Sequence, residues 1–193
     1  MIERLRLLRR TIKYIYPYAP PALSARRANW SDLNMNLTDL TTEVCTALIR
    51  RGITLATAES CTGGLIAAHV TDVPGVSAVF RGGIVCYTNA VKHSAVGVPE
   101  ELLERCGAVS DEVCRALCEG VRLRLSADLG LSVTGVAGPD PDDRGNPVGL
   151  IYVGLSDGTR TEVRTLHLTG TRAENRRSAC RAALELVETY LKR

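Results

Sequence analysis

Residues 58–64, Ala-Glu-Ser-Cys-Thr-Gly-Gly, join two stretches with different hydrophobic patterns. Residues 53–57 are apolar or β-branched and predict a strand, whereas residues 63–70 contain small apolar residues in a helical pattern. A hydroxyl and a thiol therefore lie where a strand turns into a helix. Unpaired N–H groups at a helix start attract negative charge. Ser60 therefore has the position expected of a nucleophile with oxyanion donors beside it. Helix capping and a tight Gly-Gly turn explain the same residues without any chemistry.

The charge of the chain is unevenly distributed. Seven basic residues and one acidic residue lie within residues 1–30, so the remainder of the 193-residue chain has a net charge of −3. A length of this order is typical of one globular domain. The mildly acidic body shows no basic stripe, which argues against nucleic acid as a partner.

The seven cysteines are scattered among apolar residues. An odd number without a regular spacing argues against a disulfide framework and for a reducing, cytoplasmic compartment. Cys114 and Cys118 are one helical turn apart, but no histidine or second cysteine pair lies near them in sequence. We therefore expect packed thiols and no metal site.

Residues 1–34 differ from the rest of the chain. Apolar residues recur there at helical spacing between Arg and Lys residues, until Pro17, Pro20 and Pro21 stop a helix. Three interpretations fit: a basic amphipathic helix for a membrane surface, a transit-like peptide, or translated upstream sequence before a start at Met35. We favour the third and expect a poorly ordered extension, followed by the working domain over residues 35–193. No apolar run approaches membrane-spanning length, so we expect no stable membrane association.

The remaining segments alternate between helix and strand. Helices are predicted over residues 38–51 and 63–70, after Asn89, from Pro99 to Gly107, from a Ser110 cap to about Asp128, and after Gly170. Strands are predicted over residues 53–57, 84–87, 131–134, 148–155 and 161–168. Asp157-Gly158 predicts a hairpin between the last two strands. This order predicts an α/β fold, a single layered domain with a mixed, mostly parallel sheet, a C-terminal β-hairpin and flanking helices.

Lys92 is a candidate base for Ser60. It follows the end of a predicted strand, in the first turn of a short helix, where the helix dipole disfavours its charged form and burial would add to that effect. A carboxylate close to the amine, such as Glu59, would oppose the effect. The three histidines have no evident carboxylate partner, which argues against a Ser-His-Asp triad. A solvated surface charge is the ordinary interpretation of such a lysine, and Cys61 is a rival nucleophile because a thiol at a helix start can have a lowered pKa.

Residues 134–139, Thr-Gly-Val-Ala-Gly-Pro, follow the predicted strand at residues 131–134. Small residues at a strand end expose backbone N–H groups to a ligand, and phosphate is a natural one. The stretch is not a P-loop, because no Gly-Lys-Ser/Thr follows. A plain connecting loop would have the same composition.

Together, Ala-Glu-Ser-Cys-Thr-Gly-Gly, Tyr-Thr-Asn-x-x-Lys and Thr-Gly-Val-Ala-Gly-Pro closely resemble, in order and spacing, the carboxy-terminal domain family of the competence/damage-inducible protein CinA. The resemblance covers about residue 37 to the end of the chain. It extends to residues 107–110, 147–149 and 170–172, with Arg176 and Arg177 behind them. Residues 1–34 have no counterpart in the family.

Stand-alone members of this family resemble the chain in size and are nicotinamide-nucleotide amidases. The resemblance implies that nicotinamide mononucleotide is converted to nicotinate mononucleotide and ammonia in pyridine-nucleotide recycling, with Ser60 as nucleophile, Lys92 as general base and Tyr87 beside them in the hydrogen-bond network. The route proceeds through an acyl-enzyme and needs no metal or organic cofactor. The family also implies a small-molecule nucleotide as the substrate and a homo-oligomer, a dimer or larger. The expected substrate-binding residues are Glu59, Cys61, Thr62, Gly63, Asn89, Thr134, Gly135, Ala137, Gly138 and Arg172.

Two alternatives remain open. The same Ser-Lys pair could act on another small carboxamide, or the domain could bind a nucleotide without catalysis, as a regulatory module. A role in competence or DNA damage, suggested by the family name, is not supported by the acidic body of the chain.

Overall fold

The computed structural model describes residues 30–193, and for residues 30–36 it describes the backbone alone. The expectations for residues 1–29 lie outside this range. The first helix, α1, spans Trp30–Arg51 and so begins eight residues before the expected start at Thr38. Neither Gly nor Pro occurs between Trp30 and Arg51, so nothing in the sequence stops the helix from extending towards the N-terminus. Met35 consequently lies inside a helix.

The other elements follow the predicted alternation. In chain order they are β1 Leu55–Glu59, α2 Leu65–Thr71, a 3₁₀ turn Val76–Ala78, β2 Phe80–Val85, α3 Asn89–Val91 with a π-helical turn Lys92–Val96, α4 Glu100–Cys106, α5 Asp111–Arg124, β3 Leu129–Gly135, β4 Leu150–Ser156, β5 Thr161–His167 and α6 Arg172–Leu191.

The five strands form one sheet in the order β2-β1-β3-β4-β5. β1 pairs in parallel with both β2 and β3, whereas β3–β4 and β4–β5 are antiparallel pairs. This confirms the mixed sheet with a C-terminal hairpin. Because the three parallel strands run in the same direction, their carboxyl ends, at Glu59, Val85 and Gly135, meet at one edge. Each of the three motifs singled out in the sequence follows one of these strand ends.

Helices cover both faces of the sheet. The larger apolar core packs α1, α2 and α6 against one face, and the smaller core packs α4 and α5 against the other. Residues along β1 alternate between the two faces, so Leu55 belongs to the larger core and Ala56 and Ala58 to the smaller. All seven cysteines are unpaired, and Cys114 and Cys118 are buried.

Three local details differ from the sequence predictions. β2 includes Gly82-Gly83, which were expected to precede it. Glycine fits at position 83 because a Cβ there would lie 2.5 Å from the Thr57 Oγ1 of the neighbouring strand. Thr88, and not Asn89, caps α3, since its Oγ1 accepts from the Val91 N–H. Helix α5 has the expected Ser110 cap but ends at Arg124, four residues before Asp128.

Two classes of feature are not found in the part of the chain that the structure describes. No helix within residues 30–193 is long and apolar enough to cross a membrane. No group of three or more His, Cys, Asp or Glu side chains in that range could hold a metal ion.

Candidate active site

Ser60 and Lys92 are brought together by adjacent parallel strands. Ser60 directly follows β1, and Lys92 lies in the short helical segment after β2. The Lys92 Nζ lies 3.0 Å from the Ser60 Oγ, 2.8 Å from the Cys86 carbonyl oxygen and 3.4 Å from that of Tyr87. Lys92 is only 1% exposed. The lysine is therefore not the solvated surface charge that its residue type would suggest.

The three oxygen partners of Lys92 are compatible with its neutral form as well as with the ammonium form. Carbonyl oxygens only accept hydrogen bonds, so the amine donates to Cys86 and Tyr87. A neutral amine has two N–H bonds and one lone pair, which leaves the lone pair for the Ser60 hydroxyl. Burial lowers the pKa of Lys92 below its ordinary value of 10.5, and the nearby Cys86 and Cys61 oppose this only in part.

Glu59 lies apart from this amine. Its two carboxylate oxygens accept from the Ile66 N–H at 3.0 Å and the Ala67 N–H at 2.8 Å, at the start of α2. Glu59 faces the larger core and is 1% exposed. The geometry therefore does not support the expected contact between Glu59 and a substrate. It also does not place the Glu59 carboxylate where it would raise the pKa of Lys92.

A cleft of about 450 Å³ opens beside Ser60 and Lys92. Its volume is in the range of small-molecule sites. Thr62 and Gly63 were expected to bind substrate, but they do not line it. The expected residues that do line it are Ser60, Cys61, Tyr87, Asn89, Lys92, Thr134, Gly135, Ala137, Gly138 and Arg172, and those that the sequence reasoning missed are Ala108, Val109, Val136, Asp140, Asp142, Asp143 and Arg144.

The missed residues come mainly from the polar loop after Pro139. Asp142 shapes this loop by accepting from the backbone N–H groups of Arg144 and Asn146. The Arg144 guanidinium donates to the carbonyls of Leu103, Glu104 and Arg105 at the end of α4. The direct continuation of residues 134–139 into this loop was the signal that could have identified these residues.

Tyr87 contributes to the site in two ways. Its carbonyl oxygen contacts Lys92, whereas its hydroxyl accepts from the Arg172 Nη2 at 3.0 Å. The Arg172 Nη1 donates to the Gly138 carbonyl. Arg172 thus links the segment after β2 to the loop after β3. The Tyr87 side chain, which is 57% exposed, lies at the cleft beside Arg172 and not on the Ser60 hydroxyl.

The start of α6 supports two of the site segments. Asn175 donates to the Ala137 carbonyl at 3.1 Å, and Arg176 donates to the Cys61 and Thr62 carbonyls at 3.0 and 2.6 Å. Residues three and four positions after Arg172 share its helix face, so this spacing was the signal for both. Neither residue was predicted to take part in the site.

Cys61 lines the cleft next to Ser60, yet its thiol is poorly suited to attack. Burial raises the pKa of Cys61 to about 11, although its own backbone N–H and then Arg172, Arg176 and Lys92 act in the opposite direction. The thiol is therefore protonated near neutral pH, and the thiolate is the reactive form. The geometry favours Ser60, whose hydroxyl has a buried base within hydrogen-bonding distance.

Backbone donors near Ser60 are available for an oxyanion. The N–H groups of Ser60 and Gly63 donate to Val133 and Ser60 carbonyls, respectively. Those of Cys61 and Thr62 have no oxygen acceptor within residues 30–193. The oxyanion donors available at this turn are thus the N–H groups of Cys61 and Thr62.

Comparison with known proteins places these features in a family. A family model described as "CinA C-terminal domain" matches residues 37–191. Putative competence-damage inducible proteins of Acetivibrio thermocellus and Halothermothrix orenii are 51% identical over 144 residues and 48% over 157, covering 75% and 80% of this chain. The chain spans only 35% and 38% of their lengths.

The match to solved structures with the same fold extends over nearly the whole length of those structures. A CinA superfamily protein from Klebsiella pneumoniae has a TM-score of 0.79 and 30% identity, covering 81% of this chain and 98% of that one. A competence/damage inducible protein from Agrobacterium tumefaciens has a TM-score of 0.77 and 32% identity, with coverages of 89% and 100%.

Proposed function

The chain belongs to the CinA C-terminal domain family, and we propose that it is an amidohydrolase that converts nicotinamide mononucleotide to nicotinate mononucleotide and ammonia. The observation that carries the proposal is the 3.0 Å contact between the Ser60 Oγ and the buried Lys92 Nζ. A hydroxyl needs a base in order to attack an amide, and a desolvated lysine can supply one. The substrate is proposed from the family resemblance of the three motifs.

Acylation begins when the Ser60 Oγ attacks the carboxamide carbon. Lys92 accepts the hydroxyl proton through the lone pair that its two carbonyl partners leave free. The negative charge that forms on the amide oxygen is stabilised by the N–H groups of Cys61 and Thr62. Lys92 then gives its proton to the leaving nitrogen, the C–N bond breaks and ammonia departs from an ester of Ser60.

Deacylation uses the same groups in the reverse roles. Lys92, neutral again, takes a proton from a water molecule that attacks the ester carbon, and returns it to the Ser60 Oγ as the C–O bond breaks. Nicotinate mononucleotide is released and the free hydroxyl is restored. The carbonyls of Cys86 and Tyr87 hold the amine in place through both half-reactions.

The remainder of the cleft is available for the ribose and phosphate. The N–H groups of Ala137 and Gly138 have no acceptor among the described residues, and both residues line the cleft. Arg172 contacts the same loop, and its guanidinium fork matches phosphate oxygens. These features support recognition of a phosphorylated substrate.

A second candidate is the same chemistry on another small carboxamide. It is favoured by Asp140, Asp142 and Asp143, which line the cleft and would repel a phosphate that lay close to them. Arg172 also already donates to Gly138 and Tyr87, so it would have to share its donors with a phosphate.

A panel of carboxamides, with and without a phosphoribosyl group, assayed for ammonia release distinguishes these functions. We expect nicotinamide mononucleotide to be hydrolysed, with the Ser60→Ala variant as the control that releases no ammonia above background. Release from a different carboxamide alone would favour the second candidate. Nucleotide binding without ammonia release from any member of the panel would show a binding module.

A further inference from the structure

We propose that Arg176 positions the backbone donors that stabilise the oxyanion, an inference that rests on the proposed amidase function. Arg176 lies in α6, 115 residues from Cys61 along the chain. Its Nε donates to the Cys61 carbonyl at 3.0 Å and its Nη2 to the Thr62 carbonyl at 2.6 Å. Arg176 does not line the cleft, so it acts through the turn that carries Ser60 and not by touching the substrate.

The first of these hydrogen bonds sets the direction of the Thr62 N–H. A trans peptide is planar, so its carbonyl oxygen and its N–H point to opposite sides. The Cys61 carbonyl and the Thr62 N–H belong to one peptide. With the oxygen held on Arg176, the N–H points away from the guanidinium, and it has no oxygen acceptor within residues 30–193.

The second hydrogen bond sets the direction of the Cys61 N–H through one further step. The Thr62 carbonyl and the Gly63 N–H belong to one peptide, so the bond to Arg176 orients this N–H. The Gly63 N–H donates to the Ser60 carbonyl at 3.1 Å. That carbonyl shares its peptide with the Cys61 N–H, which also lacks an oxygen acceptor among the described residues. One guanidinium therefore determines the orientation of both donors.

The turn needs such a restraint. Gly63 and Gly64 have φ values of +60° and +91°, in the region where glycine is conformationally free. Donors that are already oriented stabilise a developing charge without reorganisation during the reaction. The charge on Arg176 also polarises the two peptides that it contacts. The orientation and the polarisation of the two donors matter most when the oxyanion forms in the transition state. Loss of Arg176 should therefore lower kcat and leave KM nearly unchanged.

The test compares Arg176→Gln and Arg176→Lys with the wild-type protein, using Arg181→Gln as a matched control. Arg181 lies on the same helix and bonds to Glu185, outside the cleft. Two substrates are used: nicotinamide mononucleotide and p-nitrophenyl acetate, an activated ester that acylates an active serine without a nucleotide. If the wild-type protein hydrolyses the ester but not the nucleotide, the proposed function is overturned. The ester still tests the role of Arg176 in that case. Wild-type inactivity on both would overturn both proposals.

For Arg176→Gln we expect kcat to fall by on the order of 10²-fold on each active substrate, with KM within about threefold of wild type. The pH midpoint of the Lys92-dependent limb should not move. Arg176→Lys, which keeps the charge but lacks the two-pronged fork, should fall in between, and Arg181→Gln should match wild type. A wild-type kcat in Arg176→Gln, or a raised KM at unchanged kcat, would overturn the inference. If Arg176→Gln does not fold, as judged by circular dichroism, a wild-type kcat in Arg176→Lys overturns it instead.

Discussion

Lys92 combines a short distance to a hydroxyl with surroundings that disfavour its charge. Burial lowers its pKa, and its two carbonyl partners cannot donate to its lone pair. No carboxylate lies among its hydrogen-bonding or ion-pair partners within residues 30–193, because Glu59 bonds instead to the start of α2. At the scale of single residues, the site is a hydroxyl paired with an amine in a water-poor position.

The first prediction separates the two adjacent nucleophile candidates. Ser60→Ala should lower kcat by on the order of 10³-fold or more, because it removes the attacking oxygen. Cys61→Ala should keep most of the activity, since burial raises the pKa of that thiol to about 11. Steady-state ammonia release measures both. An inactive Cys61→Ala beside an active Ser60→Ala would reverse the assignment.

The second prediction concerns the stability of the fold as a function of pH. The folded state lowers the pKa of Lys92 below 10.5, so between the two values the unfolded chain binds more protons than the folded protein. Stability should therefore rise with pH across this window, and the destabilising contribution is greatest below the folded pKa. Urea unfolding at several pH values from about 6 to 10, with a reductant present, measures this slope. Free thiols titrate at about pH 8.5, within the same range, so the contribution of Lys92 is the difference between the wild type and a variant that lacks this lysine.

Lys92→Met supplies the control for this slope, because methionine has a similar length and no charge. We expect the variant to lose the part of the slope that is due to Lys92. Identical slopes in the variant and the wild type would show that Lys92 stays charged in the folded protein.

Secondary-structure elements bring the site residues together. β1, β2 and β3 are adjacent and parallel, so the segments that follow them meet at one edge of the sheet. The first turn and a half of α6 then contact all three of these segments through Arg172, Asn175 and Arg176. The cleft is thus held by an element that comes last in the chain.

The third prediction concerns the link between β1 and α2. Glu59→Gln replaces one of two accepting oxygens by an NH₂ group, which cannot accept from the N–H of Ile66 or Ala67. An unpaired buried N–H and a lost charge at the helix start should cost about 1–3 kcal/mol of unfolding free energy. Urea unfolding of this variant checks the value.

The matched control for Glu59→Gln is Glu188→Gln. Glu188 forms an exposed ion pair with Lys192, and removing such a pair should change stability by less than about 1 kcal/mol. Equal effects of the two substitutions would contradict the structural role assigned to Glu59.

Much of this arrangement could be predicted from the sequence, because hydrophobic periodicity and turn residues are local signals. The order of the strands along the chain, the Ser110 cap and the hairpin at Asp157-Gly158 are predicted on that basis, whereas the bounds of β2 are not. The direction of the Glu59 side chain could not be predicted, since it depends on which helix packs against β1. The approach of Gly83 to Thr57 likewise depends on a strand pairing between residues far apart in the chain.

At the scale of the whole molecule, the sheet separates two cores and leaves the cleft at the carboxyl edge of its parallel strands. The cleft is lined by Ser60 and Lys92, by the loop after β3 and by the start of α6. A substrate that contacts all of these elements is held by groups remote from the reacting carbon. Such remote binding energy can be used to reach the transition state.

The fourth prediction follows from this extent. Plain nicotinamide should have a much lower kcat/KM than nicotinamide mononucleotide, with kcat reduced as well as KM raised, because it lacks the phosphoribosyl group that we propose to contact residues 134–138 and Arg172. Initial rates of ammonia release for both compounds measure the ratio. Comparable values would show that these residues do not recognise the phosphoribosyl group.

Ammonia release by Lys92→Arg is the most direct test of whether Lys92 is the base for Ser60. Arginine keeps a positive charge at this position but does not lose its proton, so it could anchor a substrate but could not accept the hydroxyl proton. We expect kcat/KM for nicotinamide mononucleotide to fall as far in Lys92→Arg as in Lys92→Ala, by on the order of 10³-fold or more. Substantial activity in Lys92→Arg, in a protein whose melting temperature matches that of the wild type, would contradict the Ser60-Lys92 mechanism.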